Sequence, residues 1–245
     1  MRYRLWAKRQ LNIPTQCWVC DAWPVPSPIC AHCLAQHAQV QRRCSTCAVV
    51  LSETATAKQC GACVHQPPPL AACWAAVDYA APWRDLVHRW KLAQNPALAG
   101  AAAQLIQGQL MQQQWPLSAI VAQCDVLLPI PPAPERARQR GFHHSLLLAR
   151  ALQADLPIDT SSLLRLPEVA GQHQALRGRQ ARLRAMRGAF VVAPTQLSAL
   201  QGQRVLLLDD VMTTGATLHS AAHTLLRAGA AQVSALVLAR TALHS

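Results

Sequence analysis

Eight cysteines stand in four Cys-x2-Cys pairs near the start of the chain: Cys17 and Cys20, Cys30 and Cys33, Cys44 and Cys47, Cys60 and Cys63. Each pair sets two thiolates on one tight turn, and two pairs complete a tetrahedral sulfur site for a metal ion. The regular spacing predicts two structural zinc ions. A site closed by four thiolates keeps no open position, so chemistry is expected elsewhere. A module of this size, residues 1–66, has little apolar core of its own, and zinc would supply the stability it lacks. Sequential sharing (the first two pairs on one ion, the last two on another) and cross-braced sharing of alternate pairs both satisfy the spacing. A single zinc, with two pairs serving only in packing, satisfies it too. His32, His37 and His65 lie nearby but are expected to be bystanders, since the thiols suffice. Cys73 and Cys124 fall in predicted strands and read as small buried hydrophobes.

Thiols used this way belong to a reducing compartment. The opening MRYRLWAKRQLNIPTQC has basic residues but no apolar h-region, so no signal peptide is expected. No apolar run approaches the roughly 18 residues of a spanning helix. A soluble, cytoplasmic protein without a transmembrane segment is the expectation. The formal charge of +12 predicts attraction to polyanions, although basic surfaces also occur without any such partner.

After HQPPPL at 65–70, which reads as a stiff linker, the text changes character. Residues 67–245 form the expected second domain. Strands are predicted over 71–79, 124–130, 161–166, 188–193, 203–209 and 232–239, and helices over 83–93, 96–114, 142–154, 175–186 and 216–228. Apolar strands separated by helices indicate a largely parallel sheet covered on both faces.

The strand VLLLDD is the most informative of these. It runs into Asp209 and Asp210 and then into Thr213, Thr214, Gly215, Ala216 and Thr217. In open α/β sheets the C-terminal ends of the strands border the ligand crevice. TTGAT can wrap an anion with main-chain N–H groups and hydroxyls, and Gly215 permits close approach or a positive φ. Leu218, Ala221, Ala222, Leu225 and Leu226 give the following helix one apolar face, which aims its N-terminus at the loop. Carboxylates beside such a cradle would repel phosphate, so they suit vicinal ribose hydroxyls that donate to them. An aspartate pair that caps a helix or holds Mg2+ in an unrelated fold is the plain alternative. The order of strand, aspartates, loop and helix resembles the signature of type I phosphoribosyltransferases, which bind 5-phosphoribosyl 1-pyrophosphate.

A second loop, PIPPAPERARQRGF at 129–142, reads as extended, with Arg136, Arg138 and Arg140 crowded before Gly141. Arginines in a rigid loop suit pyrophosphate, and a solvated basic surface would look the same. Residues 165–187 carry six arginines and one acid. They stand where a mobile flap precedes the signature in phosphoribosyltransferases, and could instead follow a nucleic-acid backbone or face solvent. The seven tryptophans serve base stacking or core packing equally well.

Across nearly its whole length the chain resembles the ComF family, including the competence-associated ComF and GntX-like proteins. The resemblance rests on the paired cysteines, YAAPWRDLVHRWK at 79–91, PIPPAPERARQRGF, the arginine-rich stretch, and the signature ending in AGAAQVSALVLART. It implies a type I phosphoribosyltransferase-like parallel sheet flanked by helices, preceded by a small cysteine-rich zinc module. It also implies binding of phosphoribosyl pyrophosphate, or a similar sugar phosphate, with magnesium by Asp209, Asp210 and residues 213–217, with Arg136, Arg140 and Lys91 beside them. Asp209 and Asp210 are then the candidates for a catalytic role, and the acceptor is not legible. Single-stranded DNA and the DNA-uptake machinery are the partners the family implies. Two readings compete with a transferase: a nucleic-acid-binding protein that keeps the fold without turnover, and a phosphoribosyl pyrophosphate sensor. The chain departs from the family pattern at His143 and His144, where Asn-Gln is usual, and at Ala185, where an asparagine is usual. The histidines could preserve hydrogen bonding and add pH-dependent charge near a phosphate.

Overall fold

The computed structural model of the protein describes residues 14–92, 98–167 and 188–242. Two short helices, α1 (Ala31–His37) and α2 (Gly61–His65), lie among the cysteine pairs. Then come β1 (Cys73–Asp78), α3 (Trp83–Leu92), α4 (Leu98–Gln112), α5 (Leu117–Val121), β2 (Val126–Pro129), α6 (Pro134–Arg140) and α7 (His144–Leu152). The chain continues through β3 (Leu163–Arg165), β4 (Phe190–Val192), a 3-10 turn (Pro194–Gln196) and α8 (Leu197–Leu200). It ends with β5 (Arg204–Met212), α9 (Ala216–Arg227) and β6 (Gln232–Arg240).

Among the described residues, four strands make one parallel sheet in the order β1-β6-β5-β2. Val205 to Leu208 are all buried, as are Val233 to Arg240, which is why these strands read as continuous apolar runs instead of alternating ones. One apolar cluster joins β-strand residues Leu206, Leu208, Leu236 and Leu238 to α3, α4, α5 and α7. Alanines 99, 102 and 103 of α4 bring that helix close to its neighbours, and Gln107 Nε2 donates to the Leu152 carbonyl of α7 at 2.9 Å. A second cluster joins Val205, Leu207, Val233, Ala235 and Val237 to Leu218, Ala221, Ala222 and Leu225 of α9. The apolar face expected for α9 is therefore the one it buries, with Leu226 only partly covered.

The cysteine segment packs into these same cores. Cys17, Cys30 and Cys33 belong to the first cluster, and Cys44, Cys47 and Cys63 to the second. Cys73 and Cys124 are buried, as their apolar settings suggest.

Three expectations are corrected. The strands expected near 161–166 and 188–193 do not join the parallel sheet; β3 and β4 pair antiparallel as a separate two-stranded unit. Each has three residues and buries only its Leu163 or Phe190 end, so neither can serve as an inner strand. The extended loop expected to carry the arginines is partly helical. Pro134 occupies the first turn of α6, where a missing N–H costs nothing, and Gly141 closes the helix at φ +73°. Finally, β5 runs past the two aspartates to Met212, which pairs with Arg240 of β6. The helix expected over 175–186 and the departure at Ala185 lie outside the described residues.

Candidate functional site

β5 carries Asp209 and Asp210 at the C-terminal edge of the sheet, and neighbouring elements converge on them. Lys91 Nζ, from the last turn of α3, lies 2.8 Å from Asp210 Oδ2. Ser145 Oγ, from the first turn of α7, donates to Asp209 Oδ1 at 3.3 Å, and the Asp210 N–H donates to the same oxygen at 2.9 Å. Asp209 keeps some exposed surface, but burial of its carboxyl group pushes the pKa up to about 7. The Asp210 carboxylate adds to that rise, while Lys91, the Asp210 N–H and the Ser145 hydroxyl oppose it. The pair thus holds one carboxylate matched to a cation and one poised to lose its proton near neutrality.

Met212 leads into the loop at 213–217. Thr213 is exposed, Thr214 and Thr217 are half-buried, and Gly215 and Ala216 are buried. Gly215 precedes the first residue of α9 at φ +83°, a conformation that disfavours other residues. A Cβ added there would lie 2.7 Å from Met212 Cε and 2.8 Å from the His219 ring. The Ala216 N–H donates to Thr214 Oγ1 at 3.3 Å, which draws the loop into the first turn of the helix. The early N–H groups of α9 have no intrahelical partners and carry the positive end of a helix of 12 residues.

The second expected element approaches from β2, where the Ile130 N–H donates to the Leu208 carbonyl at 2.9 Å. Arg136, Arg138 and Arg140 lie on α6. Arg138 is exposed, and the side chains of Arg136 and Arg140 fall outside the described residues. The two unusual histidines turn inward. His143 caps α7, accepting the Leu146 N–H on Nδ1 at 3.0 Å, a task that asparagine also performs. Burial lowers the His143 pKa, against the opposing effect of its own backbone hydrogen bond. His144 is buried against Trp90 and Phe142, with ring centroids at 5.3 Å and 4.4 Å.

Both cysteine groups are assembled, and sequentially: Cys17, Cys20, Cys30 and Cys33 in one tetrad, Cys44, Cys47, Cys60 and Cys63 in the other. Within each, all Sγ atoms lie within 4.8 Å of one another. The Cys17–Cys33, Cys20–Cys30 and Cys47–Cys60 sulfurs stand 3.9, 3.7 and 3.7 Å apart. A tetrahedral ion with metal–sulfur bonds of about 2.3 Å requires edges of about 3.8 Å, so each tetrad could hold a metal ion. Main-chain N–H groups point at the sulfurs, from Cys30 to Cys17 at 3.4 Å and from Cys60 to Cys44 at 3.3 Å, an arrangement that favours thiolates. Of the tryptophans, Trp74, Trp83 and Trp90 are buried, whereas Trp23 and Trp115 are exposed.

The sequence profile of the phosphoribosyl transferase domain matches residues 153–242, which include β5, the loop and α9. Over 239 residues the chain is 29% identical to the DNA utilization protein YhgH of Salmonella typhimurium, covering 94% of this chain and 99% of that protein. It is 37% identical to the competence protein ComFC of Bacillus subtilis over 117 residues, 47% of this chain and 45% of that one. The chain is thus similar to YhgH along nearly its whole length, and residues 153–242 are similar to the phosphoribosyl transferase domain. Among solved structures, the glutamine phosphoribosylpyrophosphate amidotransferase of B. subtilis matches at 18% identity and a TM-score of 0.36, over 61% of this chain and 30% of that enzyme.

Sequence reasoning overlooked two residues that meet this site. Ser145 had no motif to mark it. Arg240 closes β6 and donates to the carbonyls of Met212, Thr213 and Thr241. An arginine ending an otherwise apolar strand was the one visible hint.

Proposed function

We propose that this chain binds phosphoribosyl pyrophosphate, with its 5-phosphate in the loop at 213–217 and its ribose hydroxyls on Asp209 and Asp210. The observation that carries the reading is the pair of carboxylates beside a glycine-capped helix N-terminus, within the stretch matched by the phosphoribosyl transferase profile. Charged acceptors suit hydroxyl donors, and the helix end suits the phosphate. Lys91 is close enough to Asp210 to hold that carboxylate in place. Arg136 and Arg140 would meet the pyrophosphate from α6. Magnesium would neutralise the pyrophosphate and arrive with it, since this ion is usually held by one or two carboxylates together with substrate phosphates. Zinc is the metal we assign to both tetrads, because four thiolates at tetrahedral spacing are its characteristic ligand set.

The cellular role we infer is handling of imported single-stranded DNA in the cytoplasm, alongside the DNA-uptake machinery. The names of its relatives and the charge of +12 support this role. No helix among the described residues is long and apolar enough to cross a membrane. A non-catalytic DNA-binding reading draws on that same charge, and transfer to an acceptor is a separate step.

Calorimetry with phosphoribosyl pyrophosphate and Mg2+ tests the central reading. Asp209→Asn together with Asp210→Asn removes charged acceptors worth roughly 1.5–3 kcal/mol each, so affinity should fall at least about tenfold while inorganic phosphate still binds. Equal affinity in the parent and the double variant refutes the assignment of the aspartates. DNA uptake measured with the same variant separates the roles: loss of uptake with DNA binding intact favours a ligand-dependent function, and retained uptake a binding scaffold.

A further inference from the structure

Arg240 is an unusual end for a strand. It is 2% exposed, and its guanidinium reaches in two directions. Nε donates to the Cys47 carbonyl at 2.8 Å, in the second cysteine tetrad. Nη1 donates to the carbonyls of Met212 at 3.0 Å and Thr241 at 2.8 Å, and also to that of Thr213. One rigid planar fork therefore joins the metal-binding turn to the residues that open the TTGAT loop. The sequence distance it spans, from Cys47 to Arg240, is 193 residues.

Charge explains why an arginine can be buried there. A cation removed from water needs nearby negative charge. Among the described residues no carboxylate pairs with Arg240; every acceptor it has is a main-chain carbonyl. Four thiolates around one divalent ion retain two excess negative charges. Arg43, with its side chain 7% exposed, lies against the same tetrad segment, donating to the Ala48 carbonyl at 3.2 Å and to Asp78 at 2.8 Å. The filled tetrad thus offers the counter-charge that Arg240 otherwise lacks.

We propose that Arg240 is a positioning residue that couples the second cysteine tetrad to the loop at 213–217, so that a metal ion in the tetrad fixes the loop's shape. A metal-free tetrad carries a different charge and a slacker turn at Cys47, and both changes loosen the fork on Met212 and Thr213. The first tetrad packs in the other apolar cluster, and among the described residues no hydrogen bond joins it to the loop. The consequence for ligand affinity rests on the reading of the loop as a phosphate cradle; the mechanical coupling does not.

Amide hydrogen exchange of the full chain tests the coupling directly. Cys60→Ser with Cys63→Ser should accelerate exchange at 212–217 at least tenfold and leave α4 protected, whereas Cys17→Ser with Cys20→Ser should leave 212–217 slow. Arg240→Lys keeps the charge but not the fork, and should accelerate the same amides while metal content stays at the parent level. Unchanged loop exchange in the second-tetrad variant, or equal acceleration in both tetrad variants, overturns the proposal. If the tetrad variants do not fold, Arg240→Lys decides alone, and parental exchange at 212–217 overturns it. Calorimetry on the same proteins keeps the two readings apart: a parent that does not bind phosphoribosyl pyrophosphate removes the ligand assignment, while the exchange result still judges the coupling.

Discussion

Asp209→Asn should stabilise the protein, and increasingly so as pH rises toward neutrality. The Asp209 carboxyl is pushed from 3.8 to about 7, first by burial and then by Asp210. The folded state therefore holds this proton more tightly than the unfolded chain does. The stability contributed by the protonated form is fully present below about pH 4 and is lost as pH climbs through about 7. Asparagine imitates the protonated form without titrating, and its carbonyl can still accept from Ser145 and the Asp210 N–H. At about 1.4 kcal/mol per unit, a shift of about 3 units gives an upper bound of about 4 kcal/mol above pH 7. Between pH 5.5 and 7 the variant's advantage should widen by about 2 kcal/mol and then level off. Urea unfolding of parent and variant at matched pH values measures the difference, in which the titration of other groups cancels. A difference that stays constant from about pH 5.5 to 8.5 would refute the argument, since Asp209 would then be ionised throughout. Ribose binding should move the opposite way in the parent, strengthening as the carboxylate forms.

Four further outcomes are expected. Metal analysis of freshly prepared protein should find about two zinc ions per chain, and metal-free protein with disulfides would overturn the tetrads as zinc sites. Gly215→Val places carbon against Met212 and His219 at a positive φ, so calorimetry should show both inorganic phosphate and phosphoribosyl pyrophosphate weakened, unlike the aspartate variant. His143→Ala should cost about 1 kcal/mol in urea unfolding through loss of the α7 cap, and His143→Asn much less. Binding of single-stranded DNA, read by fluorescence anisotropy, should fall steeply with salt; affinity unchanged between low and moderate salt would remove the basic surface as the binding element.

Much of the site was legible because its parts are local. Four cysteine pairs, an apolar strand ending in two aspartates, and TTGAT before an amphipathic helix each fit within one short window. What the sequence withheld depends on distant partners. Sequential sharing of the cysteine pairs was undetermined because both arrangements satisfy the spacing, and only the packed chain chooses one. Ser145 reaches Asp209 across 64 residues. The prolines at 131 and 132 stand outside any helix or strand, but Pro134 opens a helix, and the same residue type carries both signals. β3 and β4 looked like members of the parallel sheet because short apolar runs do not reveal which partner they take.

The order of the sheet bears on how the chain can assemble. β6 follows the other strands in sequence yet lies between β1 and β5, and among the described residues β1 has no other neighbour in that sheet. During synthesis β1 waits, unpaired, while more than half the chain is made. The cysteine turns that precede it can bind metal early, but their packing against Arg240 comes only at the end. Such distant pairings make for slow closure. A product cut short before β6 would leave two separated strand groups and an open apolar seam between them, a form suited to recognition by proteases and chaperones.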